Sequence, residues 1–128
     1  MRIVIDASAI LALLKGEPGA VRAGEMIGEA FVSTVNLAEV AGVLNRGGSS
    51  LEVVKSIIGG LPCVPIAPDL PTALEAGLMQ SMTRHLGLSL GDRFCLALAK
   101  QIDALVVTAD RQWDRIPDDI GVKVELVR

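Results

Sequence analysis

The sequence predicts one three-layer α/β/α domain, residues 1–128, with a mostly parallel central sheet. Short segments rich in β-branched residues alternate along the chain with longer helical segments, which is the order of βαβ units. Hydrophobic residues make up 51% of the chain, enough to form a sizeable core. No internal repeat, linker or low-complexity tract divides the chain, so a single domain is expected.

Five apolar segments predict strands because they are too short to form independent helices. They are residues 2–6, 30–33, 63–67, 104–108 and 122–127. Pro65 lies in the third segment and has no amide hydrogen to donate. This strand is therefore expected at an edge of the sheet.

The predicted helices start at capping residues and stop near glycines. Either Asp6 or Ser8 caps the first helix, which ends before Gly16. The next helices are expected to end near residue 30 and to span 34–46, 50–58, 71–85 and 89–102. Segment 59–82 contains only Asp69 and Glu75 as charged residues. It forms either core or a buried face between subunits.

Composition and charge exclude several classes of protein. The net charge is −3, so the chain does not hold nucleic acid by neutralising phosphates alone. Aromatic residues make up 2%, which excludes a binder that stacks bases on aromatic platforms. The two cysteines are far apart and indicate reduced thiols. No export signal or membrane span is recognisable, so we expect a cytoplasmic protein that makes no membrane contact.

The sequence also lacks most catalytic motifs. His85 is the only histidine, and no nucleophile elbow, Walker A loop or dinucleotide-binding glycine motif occurs. Catalysis by a side-chain nucleophile is therefore disfavoured. Metal-assisted hydrolysis of a phosphodiester is the simplest remaining scheme.

Four acids are candidates for that chemistry. Asp6 ends the first strand, Glu39 lies in the helix after the second, Asp92 opens the helix before the fourth, and Asp110 follows the fourth. Ligands of parallel sheets bind beyond the carboxyl ends of the strands, and all four acids can reach that edge.

Each acid also has a purely structural interpretation. Asp6 would be a helix cap, Asp92 part of a capping box with Ser89, Asp110 a turn residue, and Glu39 an exposed helical residue. Several carboxylates at one edge would nevertheless repel one another unless a cation neutralised them. Oxygen ligands without cysteine or histidine favour Mg²⁺ or Mn²⁺.

Four segments resemble the acidic motifs of PIN-domain ribonucleases, and most closely those of VapC-type toxins from bacterial toxin–antitoxin pairs. They are IVIDASAI at 3–10, STVNLAEV at 33–40, LSLGDRFC at 88–95 and VTADRQW at 107–113. The resemblance extends over essentially the whole chain. It implies a PIN-like fold and a metal-dependent endoribonuclease.

The resemblance also implies roles for individual residues. Asp6, Glu39, Asp92 and Asp110 would form the catalytic pocket that binds Mg²⁺ or Mn²⁺, with Asp6 and Asp92 as the first choices for direct ligands. The remaining five residues would support this pocket. Ser8 and Thr108 would orient the acids, Arg93 and Arg111 would meet RNA phosphate or form salt bridges, and Asp114 would be an additional acid at the rim or a surface residue.

The partners implied by the resemblance are an RNA substrate, a second copy of the chain and a VapB-like antitoxin. Segment 59–82 is a candidate for one of the two protein contacts. Two other functions stay open: a magnesium-dependent phosphatase, and a non-catalytic acidic interaction module. The phosphatase is disfavoured because residues 6–8 read Asp-Ala-Ser where Asp-x-Asp is required.

Overall fold

The computed structural model describes residues 1–128 and contains a five-stranded, all-parallel sheet. Its strands are β1 (Ile3–Ile5), β2 (Ala30–Ser33), β3 (Val64–Ile66), β4 (Leu105–Thr108) and β5 (Val124–Leu126). They lie side by side in the order β3-β2-β1-β4-β5, so the strand with Pro65 is at an edge, as predicted. Because all strands are parallel, their carboxyl ends meet at one edge of the sheet.

Seven α-helices connect the strands. They are α1 (Ala7–Lys15), α2 (Ala20–Met26), α3 (Thr34–Arg46), α4 (Leu51–Gly59), α5 (Leu70–Leu78), α6 (Gln80–Thr83) and α7 (Leu90–Ile102). Short 3₁₀ helices occupy Ile27–Glu29, Arg84–Leu86, Arg111–Arg115 and Asp118–Ile120. None of these helices combines the length and the hydropathy of a membrane-spanning segment.

The core is divided between the two faces of the sheet. One cluster joins α1, α2 and α3 to the sheet through residues such as Ile5, Ile10 and Val40. The other joins α5 and α7 to the opposite face and includes Val106 and Trp113. Helices on both faces of a parallel sheet make the three-layer α/β/α architecture that the sequence predicts.

The single helix predicted over 71–85 is wrong. The structure ends α5 at Leu78 and continues with the short α6 and a 3₁₀ turn. The Arg93 guanidinium donates a hydrogen bond to the Ala76 carbonyl in the last turn of α5, an acceptor that a continuing helix would use. Arg93 comes from another helix, so no local signal predicts this break.

The charge-poor segment 59–82 is only partly core. Ala76 and Met79 are buried, but Leu70, Leu74 and Leu78 are 70%, 58% and 75% exposed. These three residues recur every four positions along one face of α5, here called the leucine stripe. The core interpretation therefore holds for the inner face of α5 and is wrong for its outer face.

Candidate active site

Asp6 is the most deeply buried of the candidate acids. It follows β1 and is 2% exposed. Its Oδ1 accepts hydrogen bonds from the Ala9 amide (2.9 Å) and the Ser8 hydroxyl (2.8 Å). Its Oδ2 accepts one from the Thr108 hydroxyl (2.6 Å). Asp6 therefore caps α1, as the structural interpretation expected, and is also linked to the end of β4.

Burial makes the charged form of Asp6 costly. It raises the pKa of Asp6 to about 6, despite hydrogen bonds from Thr108, Ala9 and Ser8 that act in the opposite direction. The negative charge of Asp92 raises it further. A strongly shifted carboxylate at the ligand edge of a parallel sheet is typical of a functional position.

Ser8 and Thr108 connect Asp6 to the loop that carries Asp110. The Ser8 hydroxyl accepts a hydrogen bond from the Ala109 amide (2.9 Å), and the Thr108 hydroxyl accepts one from the Asp110 amide (3.0 Å). Asp110 Oδ1 in turn accepts the Gln112 amide (3.0 Å). The two hydroxyls predicted as supporting residues thus fix the backbone of Ala109 and Asp110 next to Asp6.

Glu39 is held between α3 and α7. Its Oε1 accepts a hydrogen bond from Asn36 Nδ2 (2.8 Å), and its Oε2 lies 3.4 Å from the Ser89 hydroxyl. The carboxylate lies directly on Gly91, where a β-carbon would overlap it. Glu39 is therefore not the freely exposed residue of the structural alternative.

Asn36 joins the same two helices. Its Nδ2 also donates to the Gly91 carbonyl (3.0 Å), so one amide group bridges Glu39 and the first turn of α7. Asn36 is fully buried, and its Oδ1 has no hydrogen-bond partner. An unpaired buried oxygen beside a group of acids is the kind of polar atom that a ligand or ordered water satisfies.

Asp92 combines a structural role with a place among the acids. Its Oδ2 accepts the Ser89 amide (2.9 Å), and its own amide donates to the Ser89 hydroxyl (3.1 Å), which completes a capping box. Burial raises the pKa of Asp92, and the negative charges of Glu39 and Asp110 raise it further. Only Oδ2 is used by the cap, so Oδ1 is available to a ligand.

The structure brings the four acids together at the carboxyl edge of the sheet. Asp92 is central, because it raises the pKa of Asp6 and has its own pKa raised by Glu39 and Asp110. Asp6, Glu39 and Asp110 each lie within electrostatic range of Asp92, and the roles of the four acids in catalysis and metal binding stay predictions. Their mutual repulsion persists without a cation, which makes the site selective for positive charge.

The chemistry of the donors fits a hard divalent cation. No group of three or more acidic, histidine or cysteine side chains is arranged to hold a metal ion directly. Mg²⁺ commonly binds through only one or two carboxylates and keeps several waters, so such a cage is not required. Burial and the neighbouring acids raise the pKa of the Cys95 thiol well above its usual range. It therefore stays protonated and offers no soft ligand.

The side chains of the other predicted supporting residues are not bonded to the four acids. Arg93 is engaged with the Ala76 carbonyl of α5. Arg111 is exposed and forms no side-chain hydrogen bond or ion pair. Asp114 lines a different cavity, together with Trp113 and Val124. None of the three side chains forms a hydrogen bond or ion pair with the acids.

Sequence reasoning did not identify Asn36 and Gly91 as site residues. Asn36 lies three positions before Glu39, a spacing that places both on one helix face and was a usable signal. Gly91 precedes Asp92 and has no unusual backbone angle. Its role depends on a carboxylate from another helix, so nothing local reveals it.

Replacing Gly91 tests whether the absence of a side chain there allows the Glu39 carboxylate to take its position. In Gly91→Ala, the new methyl group would displace the flexible Glu39 side chain. Because the Glu39 charge contributes to the raised pKa of Asp92, we expect that pKa to fall in a carboxyl-carbon NMR titration. Gly42→Ala in α3 is the control, since its methyl meets no atom within 4 Å. An equal Asp92 pKa in both variants would contradict the proposed packing.

Asp6→Asn tests the cost of burying this acid. The pKa of Asp6 rises from 3.8 to about 6 on folding, so the folded state holds the proton more tightly. The free energy of unfolding should fall by about 3 kcal/mol as pH rises through this interval and level off above it. Asn keeps a capping oxygen and does not titrate, so the variant should lack this loss. Denaturant unfolding in chelator measures both proteins, and parallel pH profiles would refute the interpretation.

Comparisons with known proteins agree with this geometry. The PIN domain family matches residues 3–119. A toxin–antitoxin complex from Klebsiella pneumoniae contains a similar chain, with TM-score 0.71, 16% identity, and coverage of 100% of this chain and 98% of that chain. A search of curated proteins finds no significant match.

Two further solved structures share the fold. VapBC2 from Rickettsia felis, bound to a promoter DNA fragment, has TM-score 0.75 and 16% identity, and the match covers 98% of both chains. The sarcin–ricin loop cleaving toxin VapC20 from Mycobacterium tuberculosis has TM-score 0.73 and 15% identity, covering 88% of this chain and 93% of that chain. The family match over most of the chain establishes membership: this protein belongs to the PIN domain family and has the fold of VapC-type toxins.

Proposed function

We propose that this protein is a divalent-metal-dependent endoribonuclease and the toxin of a toxin–antitoxin pair. The observation that carries the proposal is the convergence of Asp6, Glu39, Asp92 and Asp110 at the ligand edge of the sheet, with raised pKa values for Asp6 and Asp92. Membership of the PIN family and the described RNA cleavage by the structurally similar toxin support it.

Charge explains why a cation is needed. A phosphodiester would be repelled by the four carboxylates, and the protein as a whole carries −3. Mg²⁺ or Mn²⁺ held by Asp6 and Asp92, with Asp110 and Glu39 at its periphery, would reverse the local sign. When bound, such a cation lowers the pKa of water and neutralises charge on phosphate.

The residues of the chain supply positioning. Ser8, Thr108 and the Ala9 amide keep the Asp6 carboxylate in one orientation. Asn36 holds Glu39 against α7. Asp110 uses only Oδ1 in its turn, so Oδ2 is free to accept a proton from an attacking water. Preorganised carboxylates avoid reorganisation during the reaction.

The acidic site also suits an antitoxin. Several structurally similar proteins are toxin–antitoxin complexes. We propose that a VapB-like antitoxin extends a segment across the acids and places a basic residue there. That residue would neutralise the carboxylates in place of a cation and would exclude RNA from the site.

The leucine stripe of α5 is proposed as the contact between two copies of the chain. Leu70, Leu74 and Leu78 form a repeated apolar surface that can pack against itself about a twofold axis. Glu75, the only acid on α5, is paired with Lys100 of the same chain at 2.6 Å. Two facing stripes therefore bring no unpaired like charges together.

A non-catalytic interaction module would need none of this arrangement. It would not require four acids at one edge or a carboxylate with its pKa raised to about 6. A phosphatase of the Asp-x-Asp kind lacks its second acid, because residue 8 is a serine hydrogen-bonded to Asp6. We therefore favour the nuclease.

The nuclease proposal predicts that Asp6→Asn and Asp92→Asn each slow RNA cleavage by about a hundredfold or more while the fold persists. Asp103→Asn is the matched control, since Asp103 lies at the other end of α7 in a left-handed conformation that Asn tolerates. Gel analysis of bacterial RNA with Mg²⁺ or Mn²⁺, alongside circular dichroism, measures both properties. Wild-type cleavage rates in the two site variants would overturn the assignment.

Expression in bacteria tests the toxin role separately. The wild-type chain and Asp103→Asn should slow growth, whereas Asp6→Asn and Asp92→Asn should not. Normal growth with soluble, RNA-cleaving wild-type protein would reject the toxin role and leave the nuclease intact.

The dimer proposal predicts that Leu78→Glu converts the protein from a dimer to a monomer, because each copy would bury an unpaired carboxylate in the interface. Sedimentation equilibrium at micromolar concentration measures the mass. Val21→Glu is the control, since Val21 is 81% exposed on α2 and outside the stripe. A wild-type monomer, or a dimer that persists in Leu78→Glu, would exclude this interface.

A further inference from the structure

A cavity opens directly beside the acids. It has a volume of about 290 Å³ and shares Ser8 and Asp110 with the acidic site. Lys15, Glu17 and Arg128 also line it. In a protein with net charge −3, this places two cations in one cavity next to the most acidic region described above.

One nitrogen of the Arg128 guanidinium is hydrogen-bonded to the backbone, and the two terminal nitrogens are not. Its Nε donates a hydrogen bond to the Ala109 carbonyl (2.8 Å), one residue before Asp110. The terminal nitrogens make no hydrogen bond or ion pair, so they can bind two oxygens of one phosphate. The anchor also limits the motion of the guanidinium relative to Asp110.

Lys15 complements this group. It occupies the last turn of α1, the helix that Asp6 caps at its other end. The two ion pairs of the protein are Arg22–Glu125 and Lys100–Glu75, so neither Lys15 nor Arg128 forms an ion pair with Glu17 or Asp110. Both positive charges are therefore available to a ligand.

We propose that Lys15 and Arg128 form a subsite for a backbone phosphate of RNA, adjoining the phosphodiester that the acids would cleave. The subsite rests on the proposed nuclease function. It also indicates the side of the acids on which the RNA chain would continue. A phosphate and a carboxylate both offer the guanidinium two oxygens. A backbone phosphate fits better here because the RNA chain continues to the next phosphate, which would lie at the acids. RNA binding here offsets part of the repulsion from the acids.

The test measures binding of a short, fluorescently labelled single-stranded RNA pool in the Asp92→Asn background with Mg²⁺, where cleavage is suppressed. Arg128→Gln should weaken binding about tenfold, the loss of a charge-assisted hydrogen bond. Lys15→Gln should weaken it in the same direction and lower the salt dependence by about 0.7 in log–log slope. The Lys15 ammonium forms no hydrogen bond or ion pair within the protein, so a fold defect does not explain the effect of Lys15→Gln.

Two further variants bracket the result. Glu17→Gln removes an acid from the cavity and should strengthen RNA binding. Lys123→Gln is the control and should not change RNA binding. Lys123 precedes β5 and therefore lies at the amino ends of the strands, away from the acids. Equal affinities for Arg128→Gln, Lys15→Gln and Lys123→Gln would overturn the subsite, as would absence of RNA binding. Unchanged RNA affinity with weakened binding of a polyglutamate peptide would instead assign the cavity to an acidic protein segment.

The outcome is separable from that of the nuclease proposal. If the wild type cleaves RNA through its acids but the cation variants keep its KM, the subsite fails and the nuclease stands. If the cation variants lose RNA affinity but the wild type cleaves nothing, the subsite stands and the nuclease fails.

Discussion

The buried carboxylate of Asp6 is the constraint on which the rest of the site depends. It joins the end of β1, the start of α1 and the end of β4 through three neighbouring donors. The Ser8 and Thr108 hydroxyls that satisfy it also hold the backbone at Ala109 and Asp110. One carboxyl group thus organises the ligand edge of the sheet, and its two hydroxyl donors also position the loop after β4.

This organisation opposes stability. Asp6 and Asp92 are both buried where their charged forms are disfavoured, and the negative charges of neighbouring acids raise their pKa values further. A hydrophobic core on each face of the sheet supplies the compensating free energy. Sites that concentrate like charges commonly reduce the stability of the unliganded protein, and function is the reason that they persist.

Much of the fold could be predicted because its determinants are local. β-Branched runs mark the strands, Pro65 marks an edge, and Ser33, Ser50 and Ser89 begin helices. The acids could be placed at one edge because parallel strands share a direction. The break after α5 and the contact of Glu39 with Gly91 could not be predicted, because each depends on a side chain from a distant helix. The leucine stripe was ambiguous for another reason: apolar residues on a helix do not reveal whether their neighbour belongs to the same chain.

The capping box at Ser89 and Asp92 has a consequence for motion. One carboxylate starts α7 and also faces the other acids, so the order of the first helical turn and the occupancy of the site are thermodynamically linked. Opening that turn would cost Asp92 its orientation and Glu39 the surface on which it rests. A cation that binds Asp92 would therefore also stabilise the first turn of α7, in addition to the capping box.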